Sequence, residues 1–180
     1  RDEMKAVIFD CDGTLVDSEV LTNEVLVEVP AEHGLVISLA EAIGGFRGRK
    51  MAECMSVLET RLGRPLPTDF VPQFRGRISA AFRDRLRPVD GAVEMVKSIR
   101  QPFCVASSGP REKIELSLTL TGLLPFFKDS IFSSYEVGVW KPEPGLFLHA
   151  ARTMGFEPSA CAVVEDSLPG IQAGMAAGMG

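Results

Sequence analysis

Residues 10–17 read Asp-Cys-Asp-Gly-Thr-Leu-Val-Asp and follow directly on the apolar run Ala6-Val-Ile-Phe9. Two carboxylates at i and i+2 on an extended backbone project to the same side, so Asp10 and Asp12 can both face one reacting group where the strand ends. Gly13 then allows a sharp exit from the strand. Asp and Gly are also ordinary turn residues, and a loop with no chemistry would use them too. A calcium loop of the EF-hand type is excluded. Counted from Asp10 it needs glycine at its sixth position and glutamate at its twelfth, and those positions hold Leu15 and Leu21.

Carboxylates at a strand end need a scaffold that fixes them. Short apolar runs at Lys5–Asp10, Phe103–Ser107, Ser130–Ser133 and Cys161–Glu165, bounded by Gly, Pro, Ser or Asp, read as buried parallel strands. Helical patterns begin near Pro110, Pro144 and Leu168. The alternation predicts an α/β class fold, a doubly wound, Rossmann-like parallel sheet, with the Asp10 pair at its ligand-binding carboxyl end.

One connection is too long for a simple crossover. Roughly ninety residues separate the first strand from the second, and they read as helices over Ser18–Val29, Arg49–Leu62 and Phe70–Arg85, with a short turn at Leu39–Ile43. Pro30 is expected to bend or end the first of these. The insertion reads as a helical cap over residues 17–85 on a core of 1–16 and 86–180, placed where a lid would close on ligand.

Composition sets outer bounds. The 180 residues are 46% hydrophobic and 24% charged, enough for a real core. The net charge of −5 argues against a dedicated nucleic-acid binder, which needs an excess of Lys and Arg. Residues 47–87 hold ten basic side chains against Glu53, Glu59, Asp69 and Asp84. That local excess suits either a surface meeting small anions or solvated helix faces. Cys11, Cys54, Cys104 and Cys161 form no CxxC pair and sit mostly in apolar runs, so reduced core thiols are expected. No apolar stretch approaches a membrane span. The expectation is a cytoplasmic monomer or weak dimer with no membrane or nucleic-acid partner.

The Asp-x-Asp-Gly-Thr run after the first strand resembles the first motif of the haloacid dehalogenase (HAD) phosphatase superfamily. Ser107 at the end of the second strand resembles the second motif. Lys141 in Trp140-Lys-Pro-Glu-Pro-Gly145 resembles the third, and Glu165-Asp166 after Cys-Ala-Val-Val resembles the fourth. The motifs fall in order over residues 10–166. The helical insertion resembles the C1 cap of the subfamily containing phosphoglycolate phosphatase, β-phosphoglucomutase and 6-phosphogluconate phosphatase. The wording at 104–110 and 140–144 is nearest the 6-phosphogluconate branch.

The resemblance implies a Mg²⁺-dependent phosphatase acting on a small soluble phosphate monoester, a sugar phosphate or sugar-acid phosphate. Asp10 would be the nucleophile and form an aspartyl-phosphate. Asp12 would serve as general acid and then general base. Lys141 would neutralise charge shared with the phosphoryl oxygens. Ser107, with Ser108 and Gly109 at a helix start, would cradle phosphate. Asp10, the Asp12 carbonyl and Asp166 would hold Mg²⁺, with Glu165 a ligand directly or through water. Arg49 and Lys50 in the cap would grip a second anionic group, although a solvated surface explains either residue alone slightly better.

Other activities remain beside this one. A phosphomutase of the β-phosphoglucomutase type shares every one of these residues and differs in excluding water. A non-enzymatic module that binds a phosphorylated ligand could keep the fold, but it needs no general acid. Dehalogenation is disfavoured because it does not need the second Asp, and a phosphonatase because that branch replaces it. Family members continue past the last helix into a further strand, whereas residue 180 is glycine. The C-terminal end of the core is therefore expected to be missing, leaving the 161–165 strand at a bare edge.

Overall fold

The computed structural model describes residues 3–180. They form two compact units, one of the residues up to Asp17 with Arg87–Gly180, the other Ser18–Leu86.

The first unit is built on a four-stranded, all-parallel sheet: β1 (Ala6–Phe9), β2 (Phe103–Ser107), β3 (Ile131–Ser133) and β4 (Cys161–Val164), in the order β3-β2-β1-β4. Ala6 is in register with Cys161, Val7 with Phe103 and Val105 with Ile131. The chain moves outward from β1 through β2 to β3, then returns to the other side of β1 as β4. That reversal opens a crevice at the carboxyl ends of β1 and β4.

The pleat divides the core. Ala6, Ile8, Cys104, Ala106 and Cys161 share one buried cluster with residues of the two helices later in this unit, Gly145–Met154 and Leu168–Ala176, chiefly Leu146, Phe147, Ala150 and Ala173. On the other face Phe9, Phe103 and Phe127 meet edge-on, with ring centroids 5.1–6.1 Å apart. Phe9, Phe127 and Phe147 are fully buried, each contributing roughly 1.5–3 kcal/mol of transfer free energy. These layers hold the strand ends rigid.

The helical unit comprises α1 (Glu19–Glu32), α2 (Leu39–Phe46), α3 (Met51–Leu62) and α4 (Phe70–Arg85). Helix α1 runs through Pro30 instead of stopping at Val29. Proline removes a donor, yet its own carbonyl accepts from the His33 and Leu35 N–H groups (both 3.0 Å), which closes the last turn around a buried ring. Residues 39–46 are a two-turn helix where the sequence suggests only a turn. Ser38 Oγ accepts from the Glu41 N–H (3.2 Å) and the Glu41 carboxylate accepts from the Ser38 N–H (2.7 Å), a reciprocal cap at the helix start. Helix α3 starts at Met51, so Arg49 and Lys50 precede it. Phe70, Phe74, Ile78 and Phe82, four residues apart, form the buried stripe of α4, which packs on α1.

The basic excess of residues 47–87 is answered within this unit. Arg77 pairs with Glu28 and Glu32, Arg85 with Glu24, Arg61 with Glu41, and Arg47 with Glu19. Ser18–Leu86 holds nine basic and nine acidic side chains and is formally neutral. The acids of α1 lie outside residues 47–87, so the unit as a whole carries no net positive charge.

The remaining helices of the α/β unit are α5 (Ala92–Ser98), α6 (Arg111–Leu120), α7 (Leu124–Phe127), α8 (Ser134–Val137), α9 (Gly145–Met154) and α10 (Leu168–Ala176). Strand β4 is an edge, but not a bare one. The Gly180 N–H donates to the Cys161 carbonyl (3.0 Å), and the Val163 N–H donates to the Gly180 carbonyl (2.7 Å). All four cysteines are free and buried. Among the described residues no helix is long and apolar enough to cross a membrane.

Candidate active site

Asp10 leaves β1 with its N–H donated to the Val164 carbonyl of β4 (2.9 Å), which fixes the backbone at the crevice. The chain then turns at once. The Cys11 carbonyl accepts from the Leu15 N–H (2.9 Å) and the Val16 N–H (3.2 Å), and the Gly13 N–H donates to the Val16 carbonyl (2.8 Å). Gly13 has a φ of +79°, a left-handed conformation that favours glycine. Space demands glycine as well, because Asp166 occupies the position of a side chain there. The Thr14 hydroxyl donates to Asp166 Oδ1 (3.3 Å), joining the first turn to the end of β4.

Lys141 is the hub of the site. Its Nζ donates to Asp10 Oδ1 (2.8 Å), Glu165 Oε2 (2.7 Å) and the Ala106 carbonyl (3.3 Å), matching the three protons of an ammonium group. Its side chain is only 4% exposed and passes over the Phe147 ring, 5.0 Å from the centroid. Burial opposes the charge, but the two carboxylates outweigh it and hold the lysine above its ordinary range. Glu165 is correspondingly held below the usual carboxylate range. Its burial is offset by Lys141, and its Oε1 accepts from the Asp166 and Ser167 N–H groups (3.0 and 3.2 Å) and the Ser167 hydroxyl (3.1 Å).

Asp10 behaves differently. Burial, with Glu165 and Asp12 nearby, pushes its carboxyl well above the ordinary range even though Lys141 lies against it. The same surroundings push the buried Cys11 thiol up, burial first and then the flanking aspartates. Four carboxylates, Asp10, Asp12, Glu165 and Asp166, gather at this end of the sheet, where Lys141 pairs with Asp10 and Glu165 and Lys113 with Asp12, and a divalent ion would add further compensating charge. Carboxylate oxygens of Asp10, Glu165 and Asp166 lie within 4.8 Å of one another, a hard oxygen set suited to Mg²⁺. Both Glu165 oxygens already accept hydrogen bonds, Oε2 from Lys141 and Oε1 from the Asp166 N–H.

Ser107 ends β2 beside β1, and its buried hydroxyl oxygen accepts from the Gly109 N–H (3.1 Å). The hydroxyl can still donate, whereas the Gly109 N–H is engaged in closing the turn. Ser133 at the end of β3 fastens that turn from the side, its hydroxyl donating to the Gly109 carbonyl (2.6 Å) and accepting from the Tyr135 N–H (3.2 Å). Ser108 lies in the same turn. Arg49, exposed, and Lys50, at the N-cap of α3, belong to the helical unit.

One contact was not read from the sequence. Lys113, in the first turn of α6, lies with Nζ 3.2 Å from Asp12 Oδ2. A basic residue there stands against the helix dipole and calls for an anion, and that was the available signal. Burial opposes its charge, but Asp12, with Asp10 behind it, raises the lysine above its ordinary range.

The chain matches the model of the haloacid dehalogenase-like hydrolase family over residues 4–178. It is 36% identical over 177 residues to the 6-phosphogluconate phosphatase of Escherichia coli strain K12, covering 98% of this chain and 80% of that protein. It is 30% identical over 177 residues to the fructose-1-phosphate phosphatase of the same organism, covering 96% of this chain and 92% of that protein. Among solved structures it is similar to a HAD-family hydrolase from Deinococcus radiodurans R1 with bound phosphate and sodium, at 33% identity and a TM-score of 0.77, covering 99% of this chain and 80% of that one.

Proposed function

The chain belongs to the haloacid dehalogenase-like hydrolases, and from that premise we propose that it hydrolyses a small sugar phosphate or sugar-acid phosphate through an aspartyl-phosphate on Asp10. The observation that carries the reading is the Lys141 ammonium held between Asp10 and Glu165 at the carboxyl ends of a parallel sheet. A carboxylate attacking a phosphate ester must approach a dianion, and a buried fixed cation beside the attacking oxygen lowers that barrier.

Asp10 attacks phosphorus while Asp12 delivers a proton to the departing alkoxide, so the sugar leaves as a neutral alcohol. Asp12, now a carboxylate, takes a proton from water as that water attacks the phosphoryl-aspartate, which releases inorganic phosphate and restores Asp10. The Ser107 hydroxyl donates a hydrogen bond to a phosphoryl oxygen, and Lys141 stays on the shared charge throughout. Asp10, Asp166 and the Asp12 carbonyl would hold Mg²⁺, with Glu165 a ligand directly or through water, and the ion when bound would supply charge neutralisation at the phosphoryl group. Ser108 and the Ser107–Gly109 turn frame the phosphate. Arg49 and Lys50 are the cap cations assigned to a second anionic group on the substrate.

The names of the two phosphatase relatives support the sugar-phosphate class. The test is release of inorganic phosphate from a panel including 6-phosphogluconate and fructose 1-phosphate, in Mg²⁺, by wild type and Asp10→Asn. Turnover by wild type and a fall of at least ~10³ in the variant are expected. Activity retained in Asp10→Asn would remove the nucleophile, and no turnover across the panel would remove the phosphatase.

A further inference from the structure

The Lys141 ammonium is committed to Asp10, Glu165 and the Ala106 carbonyl, so it is not the cation that serves Asp12. Lys113 takes that place, 101 residues away in sequence, with Nζ 3.2 Å from Asp12 Oδ2. We propose that Lys113 is a positioning residue that sets the Asp12 carboxyl for proton transfer at the ester oxygen, a role that rests on the phosphatase reading.

Three observations carry it. The helix start that bears Lys113 is fastened to the sheet independently of substrate. Arg111 forks onto Glu136 (2.8 and 2.9 Å) and donates to the Ile131 carbonyl (2.8 Å), and Ser133 holds the preceding turn at Gly109. The lysine stem is seated as well, since its Cδ lies 3.7 Å from where a Cβ on Gly109 would be. Lastly, the pair is open enough to meet substrate, with side chains 28% and 32% exposed, unlike the closed Lys141 pair. A partly exposed ion pair contributes little to stability, so its value lies in where it holds Asp12. As the bond from phosphorus to the ester oxygen breaks and the bond to Asp10 forms, the Asp12 proton moves to that oxygen. The carboxylate left behind already faces an ammonium group.

The leaving group discriminates this role from a structural one. An alkyl ester needs the proton, whereas p-nitrophenyl phosphate expels a stable phenolate and does not. In Lys113→Met, kcat/KM for an alkyl phosphate such as fructose 1-phosphate should fall by ~10² and by at least ten times more than kcat/KM for p-nitrophenyl phosphate, with Lys113→Arg recovering most of the loss. Equal losses on the two esters, or no loss, overturn the assignment. Lys113→Gln carries the same comparison if the Met variant does not fold. A wild type inactive on both esters overturns the phosphatase reading and this role with it, whereas an active wild type with an unchanged ester ratio overturns the role alone.

Discussion

Gly13 and Asp166 are packed so closely that a β-carbon on the glycine would stand 2.0 Å from the aspartate Oδ2. Glycine at this position is what lets the carboxylate after β4 reach the turn after β1. With Thr14 donating to the same carboxylate, this contact joins two motifs 152 residues apart.

Gly13→Ala should therefore damage the proposed metal site before it damages the fold. The φ of +79° costs a non-glycine residue roughly 1–2 kcal/mol, and the new methyl must expel the Asp166 carboxylate. Activity should fall at least ~100-fold, and the Mg²⁺ concentration needed for half-maximal activity should rise, as a Mg²⁺ titration would record. An alanine variant with wild-type Mg²⁺ dependence would contradict the packing argument.

Lys141→Met should cost both activity and stability. Its removal leaves Asp10 and Glu165 buried without their cation, a loss of about 3–5 kcal/mol when a buried pair is broken from one side. Urea unfolding at pH 7 measures it, and turnover should drop by at least ~10³. The deficit should shrink in acid, where both carboxyls take protons and no longer need the lysine.

The Arg111–Glu136 fork predicts a pH signature. Arg111 first, and then the Ser133 backbone, hold Glu136 below its ordinary value of 4.5 despite some burial. A carboxylate with a depressed folded-state pKa contributes stability above its unfolded pKa and loses it as pH falls through the folded one. Glu136→Gln should accordingly lower the Tm at pH 7, and the gap to wild type should close as pH drops below 4.5. Half-exposed side chains keep the effect under about 1 kcal/mol. A gap that stays constant from pH 7 into acid would argue against the ion pair.

The thiols should be silent in the native protein. All four are buried, and burial pushes Cys54 up to about 11 and Cys104 higher still, far from the thiolate form that reacts. A disulfide reagent at neutral pH should modify them only after denaturant is added. Rapid reaction of even one thiol in native buffer would be inconsistent with this packing.

The fold was legible where the signal is local. Each strand is a short apolar run, and Phe70, Phe74, Ile78 and Phe82 announce α4 by spacing alone. The misread boundaries lie where a single pair of hydrogen bonds decides the outcome, as with the Pro30 carbonyl at the end of α1 and the Ser38–Glu41 cap that extends a turn into α2. The ion pairing within the helical unit was not legible because the arginines of α4 and the glutamates of α1 that answer them lie some fifty residues apart in sequence.

By itself the sequence determined the α/β alternation, the Asp10–Asp12 pair at the end of the first strand and the order of the later motifs, because periodicity and i, i+2 geometry are written in neighbouring residues. Only the tertiary structure decided which anion each lysine serves. Lys141 reaches Asp10 across 131 residues and Lys113 reaches Asp12 across 101, and no local rule fixes such pairings. They follow from the strand order, which brings the ends of β1, β2 and β4 together. Burial there makes an uncompensated carboxylate costly and an ammonium group its natural neighbour.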